Sequence, residues 1–277
     1  MNTTARLAVF GGALALLAAG GFAVGKAAGP VAAAEDTAHG EGHAEMTAAA
    51  DLPGGLASSS DGYTFADPVA EAGRFTFRIT GPDGKPVTAF DVEHEKKLHL
   101  IVVRRDTSGF RHIHPELSPD GTWSVPLSLP AAGSYRAFAD FAPTGGKPMT
   151  LGVDLSVAGD YRPATFAPSR VATVDGYRVE LAGDLTAGKT SPLTLTVSRD
   201  GVPVTDLQPY LGAYGHLVAL REGDLAYLHV HPDGEPGAGP QVKFAAEVPS
   251  AGTYRLFLDF RHGGVVRTAE FTLTTGH

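Results

Sequence analysis

The chain has 277 residues with 35 glycines, 20 prolines and no cysteine, and its formal charge is −8 at neutral pH. The lack of cysteine excludes disulfides, thiolate zinc sites, iron–sulfur clusters and cysteine nucleophiles, and the negative charge argues against a nucleic-acid partner, because phosphate binding needs a basic face. This length leaves room for one large domain or two domains of ordinary size.

Residues 1–34 predict an export signal or a membrane anchor. Residues 7–25 are an uncharged run that follows Arg6, and Ala32–Ala34 offers the small residues that an export peptidase prefers. Cleavage after Ala34 is the first interpretation. Retention as a single membrane anchor is the second, because a run of this length nearly spans a bilayer of about 30 Å. Both predict a secreted or cell-surface protein.

Residues 35–60 lack periodicity and are rich in small, polar and acidic residues, which is typical of a disordered tether. The tether carries three side chains that could donate to a soft metal ion, namely His39, His43 and Met46. The alternative is a solvated spacer whose histidines have no such role.

The rest of the chain is a tandem duplication. Residues 99–115 (HLIVVRRDTSGFRHIHP) recur as residues 216–232 (HLVALREGDLAYLHVHP) at an offset of 117, and residues 130–141 recur as residues 249–260 at an offset of 119. We therefore expect repeat 1 over residues 61–158, a proline-punctuated linker over residues 159–169 and repeat 2 over residues 170–277.

Within each repeat the hydrophobic pattern has a period of two. Residues 74–79 (RFTFRI) and 134–141 (SYRAFADF) alternate bulky apolar residues with small or polar ones, and turn signals such as Pro82-Asp83-Gly84 separate the runs. About seven short strands in about 100 residues is typical of an immunoglobulin-like or cupredoxin-like antiparallel β-sandwich. The sequence therefore predicts an all-β protein with two tandem sandwich domains.

A turn at Gly223-Asp224 predicts a β-hairpin in repeat 2. Its register sets His216 opposite His231 and Val218 opposite His229. Because side chains alternate along a strand, the three histidines would lie on one face. Directly opposed residues have Cβ atoms about 4.5–5.5 Å apart, so three imidazoles could reach one ion.

The same register in repeat 1 sets His99 opposite His114 and Ile101 opposite His112. Imidazole suits Cu²⁺ and Zn²⁺, and three imidazoles leave a coordination position for water or a fourth group. We therefore expect a site for copper or zinc in each repeat. The alternative is that the histidines pack across the strands and bond to backbone carbonyls.

Asp140 and Asp259 occupy matching places in the motif R-x-F-x-D-F that both repeats share. Each is a candidate fourth ligand or an acceptor that orients an imidazole N–H. The alternative is that each caps a turn or pairs with Arg136 or Arg255. His94 has no histidine counterpart in repeat 2, and we expect it at the surface.

The two hairpins and the segment AGxYRxFxDF that follows each of them resemble a group of secreted actinobacterial proteins with immunoglobulin-like or cupredoxin-like domains, described as copper- or heavy-metal-associated. The resemblance covers most of residues 61–277. It implies export, a β-sandwich and a metal role centred on the six hairpin histidines, and it implies no reaction. A blue-copper centre is excluded because it needs a cysteine.

Three functions are consistent with these residues. The first is an exported metal-binding protein that buffers, delivers or senses Cu²⁺ or Zn²⁺, with a membrane transporter or cell-surface protein as its partner. The second is a metal-free extracellular module that binds a protein or glycan. The third is a metal-dependent enzyme, which we do not expect, because the sequence shows no nucleophile elbow, no paired carboxylates and no HExxH motif.

Overall fold

The computed structural model describes residues 53–228, 230–234 and 237–276. In this part of the chain all regular structure is β, in four sheets whose paired strands are antiparallel. The all-β prediction is therefore confirmed. No helix that could cross a membrane is found in these ranges.

The predicted leader and the tether up to residue 52 lie outside the described residues, and so do His39, His43 and Met46. His229 of the second hairpin lies outside them as well. Export and anchoring therefore stay predictions from the sequence.

Repeat 1 is a sandwich of two sheets. One sheet has the strand order β1-β2-β3-β7-β6, and the other has the order β5-β4-β8-β9. The strands are β1 (Ser59–Ser60), β2 (Tyr63–Glu71), β3 (Arg74–Thr80), β4 (His99–Arg104), β5 (Arg111–Ile113), β6 (Glu116–Leu117), β7 (Thr122–Pro126), β8 (Gly133–Phe141) and β9 (Met149–Val157).

Repeat 2 has the same plan. Its first sheet has the order β10-β11-β12-β17-β16 with β13 paired to β12, and its second sheet has the order β15-β14-β18-β19. The strands are β10 (Val171–Val174), β11 (Tyr177–Ala182), β12 (Lys189–Arg199), β13 (Val202–Pro203), β14 (His216–Arg221), β15 (Tyr227–Leu228), β16 (Val230–Pro232), β17 (Gln241–Val248), β18 (Thr253–His262) and β19 (Val265–Thr274).

Each repeat has its own core between its two sheets. In β3, Phe75, Phe77 and Ile79 are at most 1% exposed, and the residues between them are half-buried. In β11, Tyr177 and Val179 are buried in the same alternating way. The period-two pattern of the sequence is thus the pattern of side chains that alternate between core and solvent.

The strands β4 and β14 are buried on both faces, because the two repeats pack against each other in one compact unit. Leu100 and Val102 belong to the core of repeat 1, whereas Ile101 and Val103 belong to a third cluster that both repeats form. We call it the inter-repeat cluster. It consists of Ile101, Val103, Phe110, Phe138, Val218, Leu220, Leu225 and Phe257, with Tyr227 packed against it.

An approximate two-fold axis relates the repeats. The Phe110 ring stacks on the Phe257 ring with centroids 4.0 Å apart, and the Tyr227 ring packs on the Phe138 ring at 5.8 Å. Phe110 and Tyr227 are equivalent at the offset of 117, and Phe138 and Phe257 are equivalent at the offset of 119. Both contacts therefore join the same two positions with the repeats exchanged, as in a symmetric dimer.

Residues 53–60, which the sequence places in the tether, are part of the fold. Gly54 forms a bridge with Tyr227 of repeat 2, and the Gly55 carbonyl accepts hydrogen bonds from the buried Arg136 guanidinium. The tether prediction is wrong at this end, because backbone hydrogen bonds can hold a segment that has no hydrophobic periodicity.

The chain between β9 and β10 has no strand and contacts both repeats. The backbone N–H of Ala164 donates to Asp106 of repeat 1, and the Phe166 ring lies 3.8 Å from the guanidinium carbon of Arg255 in repeat 2. These contacts help to hold the repeats together.

We expect Gly152→Ala to lower the free energy of unfolding by roughly 1–3 kcal/mol, the usual cost of overpacking. A Cβ at this position would lie 2.1 Å from the Gly55 carbonyl oxygen and 2.7 Å from Arg136 Nε. Urea titration would measure the loss. Gly276→Ala is the control, because its Cβ would meet no heavy atom within 4 Å. Equal losses in the two variants would contradict this prediction.

Candidate metal centre

The hairpin of repeat 1 brings its histidines together as its register requires. Ile101 lies opposite His112 and Leu100 lies opposite Ile113, so the predicted register is confirmed. His114 follows the last residue of β5, where the chain crosses to the other sheet of the sandwich and continues as β6.

His99, His112 and His114, which we call the triad, each bring one nitrogen to a common point. His99 Nδ1 lies 3.1 Å from His112 Nε2 and 3.2 Å from His114 Nε2, and the three nitrogens lie within 4.8 Å of one another. Three nitrogens bound at about 2.0–2.1 Å to one ion, with angles of about 100–110°, are separated by about 3.1–3.4 Å. The two distances from His99 Nδ1 therefore fit nitrogens that share a single Zn²⁺ or Cu²⁺.

The outer nitrogens of two triad rings are held by acceptors. His99 Nε2 donates to the Glu93 carbonyl oxygen at 3.1 Å, and His112 Nδ1 donates to Asp259 Oδ2 at 2.8 Å. A neutral imidazole carries a single N–H, so in the neutral state of both rings His99 Nδ1 and His112 Nε2 present bare electron pairs. These two electron pairs face each other at 3.1 Å.

Burial keeps His99 and His114 uncharged at neutral pH. It lowers the pKa of His99 from 6.5 to about 4, an effect that the Glu93 carbonyl opposes and that repulsion from His112 reinforces. Burial and repulsion from the other two triad rings lower the pKa of His114 to about 3. Protonation of His99 is therefore not available at neutral pH to relieve the contact between its Nδ1 and His112 Nε2.

Asp259 of repeat 2 orients a histidine of repeat 1. Its side chain is buried, and while Oδ2 accepts from His112, Oδ1 accepts from Thr268 Oγ1 at 2.6 Å. Arg255, the partner considered for Asp259 on the sequence, pairs with Glu270 instead. The candidate site is thus built from both repeats.

Asp140 occupies the equivalent place in repeat 1. It lies opposite His99 in the register of β4 and β8, and its Oδ1 accepts from Thr150 Oγ1 at 2.9 Å. Arg136 pairs with Asp154. Asp140 lines a cavity of about 80 Å³ together with His99 and other histidines of the site.

His216 arrives at the same cavity from repeat 2. Its Nε2 donates to the Tyr210 carbonyl oxygen at 2.7 Å, the contact that His99 makes with Glu93 in repeat 1. The His216 ring centroid lies 6.3 Å from that of His112. Burial lowers the pKa of His216 to about 4, so it too is neutral at neutral pH.

His94 is a residue that the sequence analysis left out of the site. It is exposed, as expected, but its ring centroid lies 5.2 Å from that of His216 and 6.1 Å from that of His99. Comparison of the repeats could not find it, because its equivalent is Leu211. The signal in the sequence that could have indicated His94 is its closeness to His99, which begins β4 five residues later.

The expected pairing of His216 with His231 is wrong. The hairpin keeps its predicted register at Ala219 and Leu228, but the chain then crosses to the other sheet, where His231 is exposed and lies opposite Ala245 of β17. This crossing comes two residues earlier than in repeat 1, because β15 ends at Leu228 whereas β5 extends to the equivalent of residue 230. Within the described ranges, the triad of repeat 1 is the one cluster of this kind.

A family model described as "Domain of unknown function (DUF8832)" matches residues 59–159 and residues 172–277. No curated protein matches the chain.

Among solved structures, the chain is similar to several tandem modules. A two-domain fibronectin type III segment of chicken tenascin is 12% identical, covers 77% of this chain and 97% of that chain, and has a TM-score of 0.22. A chimeric titin Z1Z2 tandem is 14% identical, with coverages of 77% and 93% and a TM-score of 0.20. Domains 4 and 5 of the S-layer protein SbsC are 10% identical, with coverages of 80% and 92% and a TM-score of 0.22. Scores this low support no conclusion about this chain.

Proposed function

The chain belongs to the DUF8832 family, and we propose that it is an exported protein that binds Cu²⁺ or Zn²⁺ through His99, His112 and His114. The observation that carries this proposal is the convergence of three imidazole nitrogens, with His99 Nδ1 3.1 Å from His112 Nε2 and 3.2 Å from His114 Nε2. When the outer nitrogens of His99 and His112 carry the N–H, the inner electron pairs of these two rings face each other, and a bound cation relieves their repulsion.

Packing alone explains this arrangement less well. A neutral histidine that serves only as a packed side chain needs one acceptor for its N–H and one donor for its other nitrogen. Here the N–H groups of His99 and His112 both donate to acceptors outside the triad, so neither ring can donate to the other. The hydrogen bonds to the Glu93 carbonyl and to Asp259 are of the kind that fix the tautomer of a metal-bound imidazole.

The donor set favours a borderline divalent ion. Three neutral nitrogens suit Zn²⁺ and Cu²⁺, and they leave at least one coordination position for water or for a ligand of a recipient protein. His114 is half-buried, so the triad is not sealed from solvent on the side of this ring. These properties fit buffering, delivery or sensing of the ion outside the cytoplasm, in line with the leader over residues 1–34.

We expect His114→Gln to weaken binding of Cu²⁺ and Zn²⁺ by at least about a hundredfold, equivalent to about 2.8 kcal/mol, because the variant loses one of three ligands. Titration calorimetry would measure the affinities. The protein should carry alanine at His39 and His43, so that the tether does not bind the ion. His231→Ala is the matched control, because His231 is exposed on the other sheet.

Equal affinities in His114→Gln and His231→Ala would contradict the assignment of the triad. If the thermal stability of the wild-type protein responds to neither ion nor to a chelator, the metal-binding proposal fails. The alternative of a metal-free module that binds a protein or glycan then stands.

A further inference from the structure

His94 and His216 have no part in the triad, although they lie beside it. We propose that these two histidines form a second cation subsite, so that the chain binds two ions side by side at the two-fold axis and not one ion in each repeat. This inference rests on the proposed function, since it extends the same centre.

The distance between the ring centroids of His94 and His216 equals the distance expected for two imidazoles that bind the same ion. Within the triad, the ring centroids of His99, His112 and His114 are 5.0–5.3 Å apart, and those of His94 and His216 are 5.2 Å apart. A nitrogen bound at about 2.0–2.1 Å places its ring centroid about 3.1 Å from the ion, so two rings at a tetrahedral angle are about 5 Å apart.

His216 has the same orientation as His99, whose Nδ1 contacts both of the other triad histidines. Its Nε2 donates to the Tyr210 carbonyl, as His99 Nε2 donates to the Glu93 carbonyl, so Nδ1 is its electron-pair donor. His99 and His216 also each lie directly opposite an aspartate in the neighbouring strand. His99 lies opposite Asp140, and His216 lies opposite Asp259. Repeat 2 therefore presents a copy of the ligand on which the triad is centred.

The backbone holds His94 in an uncommon conformation. His94 and Glu95 have φ values of 48° and 64°, at the centre of a tight turn closed by two hydrogen bonds between Glu93 and Lys96. Repeat 2 has the same turn, in which Leu211 has a φ value of 53° and two hydrogen bonds join Tyr210 and Ala213, so the turn belongs to the fold of both repeats. The carbonyl of Glu93 also holds His99, so this turn ties the position of His94 to the triad.

Space and charge permit a second ion. The cavity of about 80 Å³ between the rings is several times the roughly 10–15 Å³ that one water needs, so an ion and its remaining water ligands fit. Asp140 lines the cavity, and Asp259 contacts His112 at its wall. Two carboxylates beside the centre offset part of the repulsion between two divalent ions.

The test is a Cu²⁺ titration of the full chain with alanine at His39 and His43. We expect two equivalents in this background protein and one in the His94→Asn variant, in which the second equivalent weakens at least tenfold. Asparagine tolerates the left-handed backbone, so the turn should persist. Electron paramagnetic resonance of the protein with two Cu²⁺ bound should show dipolar coupling between neighbouring ions, and the coupling should be absent from His94→Asn.

Several results would overturn the inference. They are a single equivalent of Cu²⁺ in the background protein, two magnetically isolated ions, or two equivalents that persist in His94→Asn. A single equivalent that His114→Gln abolishes would remove the second subsite and leave the triad intact. No binding at all would remove the proposed function together with the inference. His231→Ala should keep both equivalents and the coupling.

Discussion

Without metal, the protein is expected to lose stability steeply as the pH falls from about 6.5 towards 4, by as much as about 4 kcal/mol per pH unit. Burial lowers the folded-state pKa of His99 and His216 to about 4 and that of His114 to about 3. The unfolded chain binds these protons near pH 6.5. Below that pH the unfolded state holds more protons than the folded state, so stability is full above pH 6.5 and is lost as the pH falls.

The magnitude follows from the number of histidines. Each ring that is charged in the unfolded chain and neutral in the folded chain contributes about 1.4 kcal/mol per pH unit. The other titratable or charged groups that act on these three rings are His94, His112, Asp259 and Lys96. Urea titrations between pH 7.5 and 4.5, with a chelator present, would measure the slope.

His114→Gln is the informative variant for this pH dependence. It removes one of the three rings, so its slope should be shallower by about 1.4 kcal/mol per pH unit. His231→Ala changes an exposed histidine and should leave the slope unchanged. A free energy of unfolding that stays constant between pH 6.5 and 4.5 would contradict the prediction, because the rings would then be titrating as they do in the unfolded chain.

Phe257→Ala is expected to lower the free energy of unfolding by roughly 3–5 kcal/mol and to weaken metal binding at the same time. Phe257 is fully buried and stacks on Phe110 of the other repeat at 4.0 Å, so its removal leaves a cavity between the repeats. Asp259 lies two residues further along β18 and holds His112. Because such supporting contacts are worth about 10–100-fold in metal affinity, we expect a loss of at least tenfold.

The matched control for Phe257→Ala is Phe75→Ala. Phe75 is equally buried, but it lies in the core of repeat 1 on the sheet that does not face repeat 2. We expect a similar loss of stability in urea titration and little change in metal affinity measured below the unfolding transition. Equal losses of affinity in the two variants would show that the inter-repeat cluster has no special role in positioning the site.

The duplication gives the chain the character of a symmetric dimer joined in one polypeptide. Equivalent residues of the two repeats meet near the two-fold axis, so a residue such as Asp259 can orient a ligand that belongs to the other repeat. Differences between the repeats make the centre asymmetric. Repeat 2 has Leu211 at the place of His94, and its hairpin crosses to the other sheet before it reaches His231.

Local patterns in the sequence were sufficient for the strands, the duplication and the register of the hairpins. The period of two determines which side chains share a face, and the turn determines which residues are opposed, so the pairing of Ile101 with His112 and of Ala219 with Leu228 was predictable. The uninterrupted apolar runs of β4 and β14 are typical of strands buried on both faces, but we drew no prediction from them.

Tertiary structure decided how many sites those histidines form and which residues complete them. The point at which the chain leaves the sheet of β15 depends on the pairing of β16 with β17, and this pairing sets His231 opposite Ala245 and not opposite His216. The approach of His216 and Asp259 to the triad depends on the packing of one repeat against the other through Phe110 and Phe257. The contacts between the repeats join residues more than a hundred positions apart, and no local pattern of alternation or turn residues encodes them.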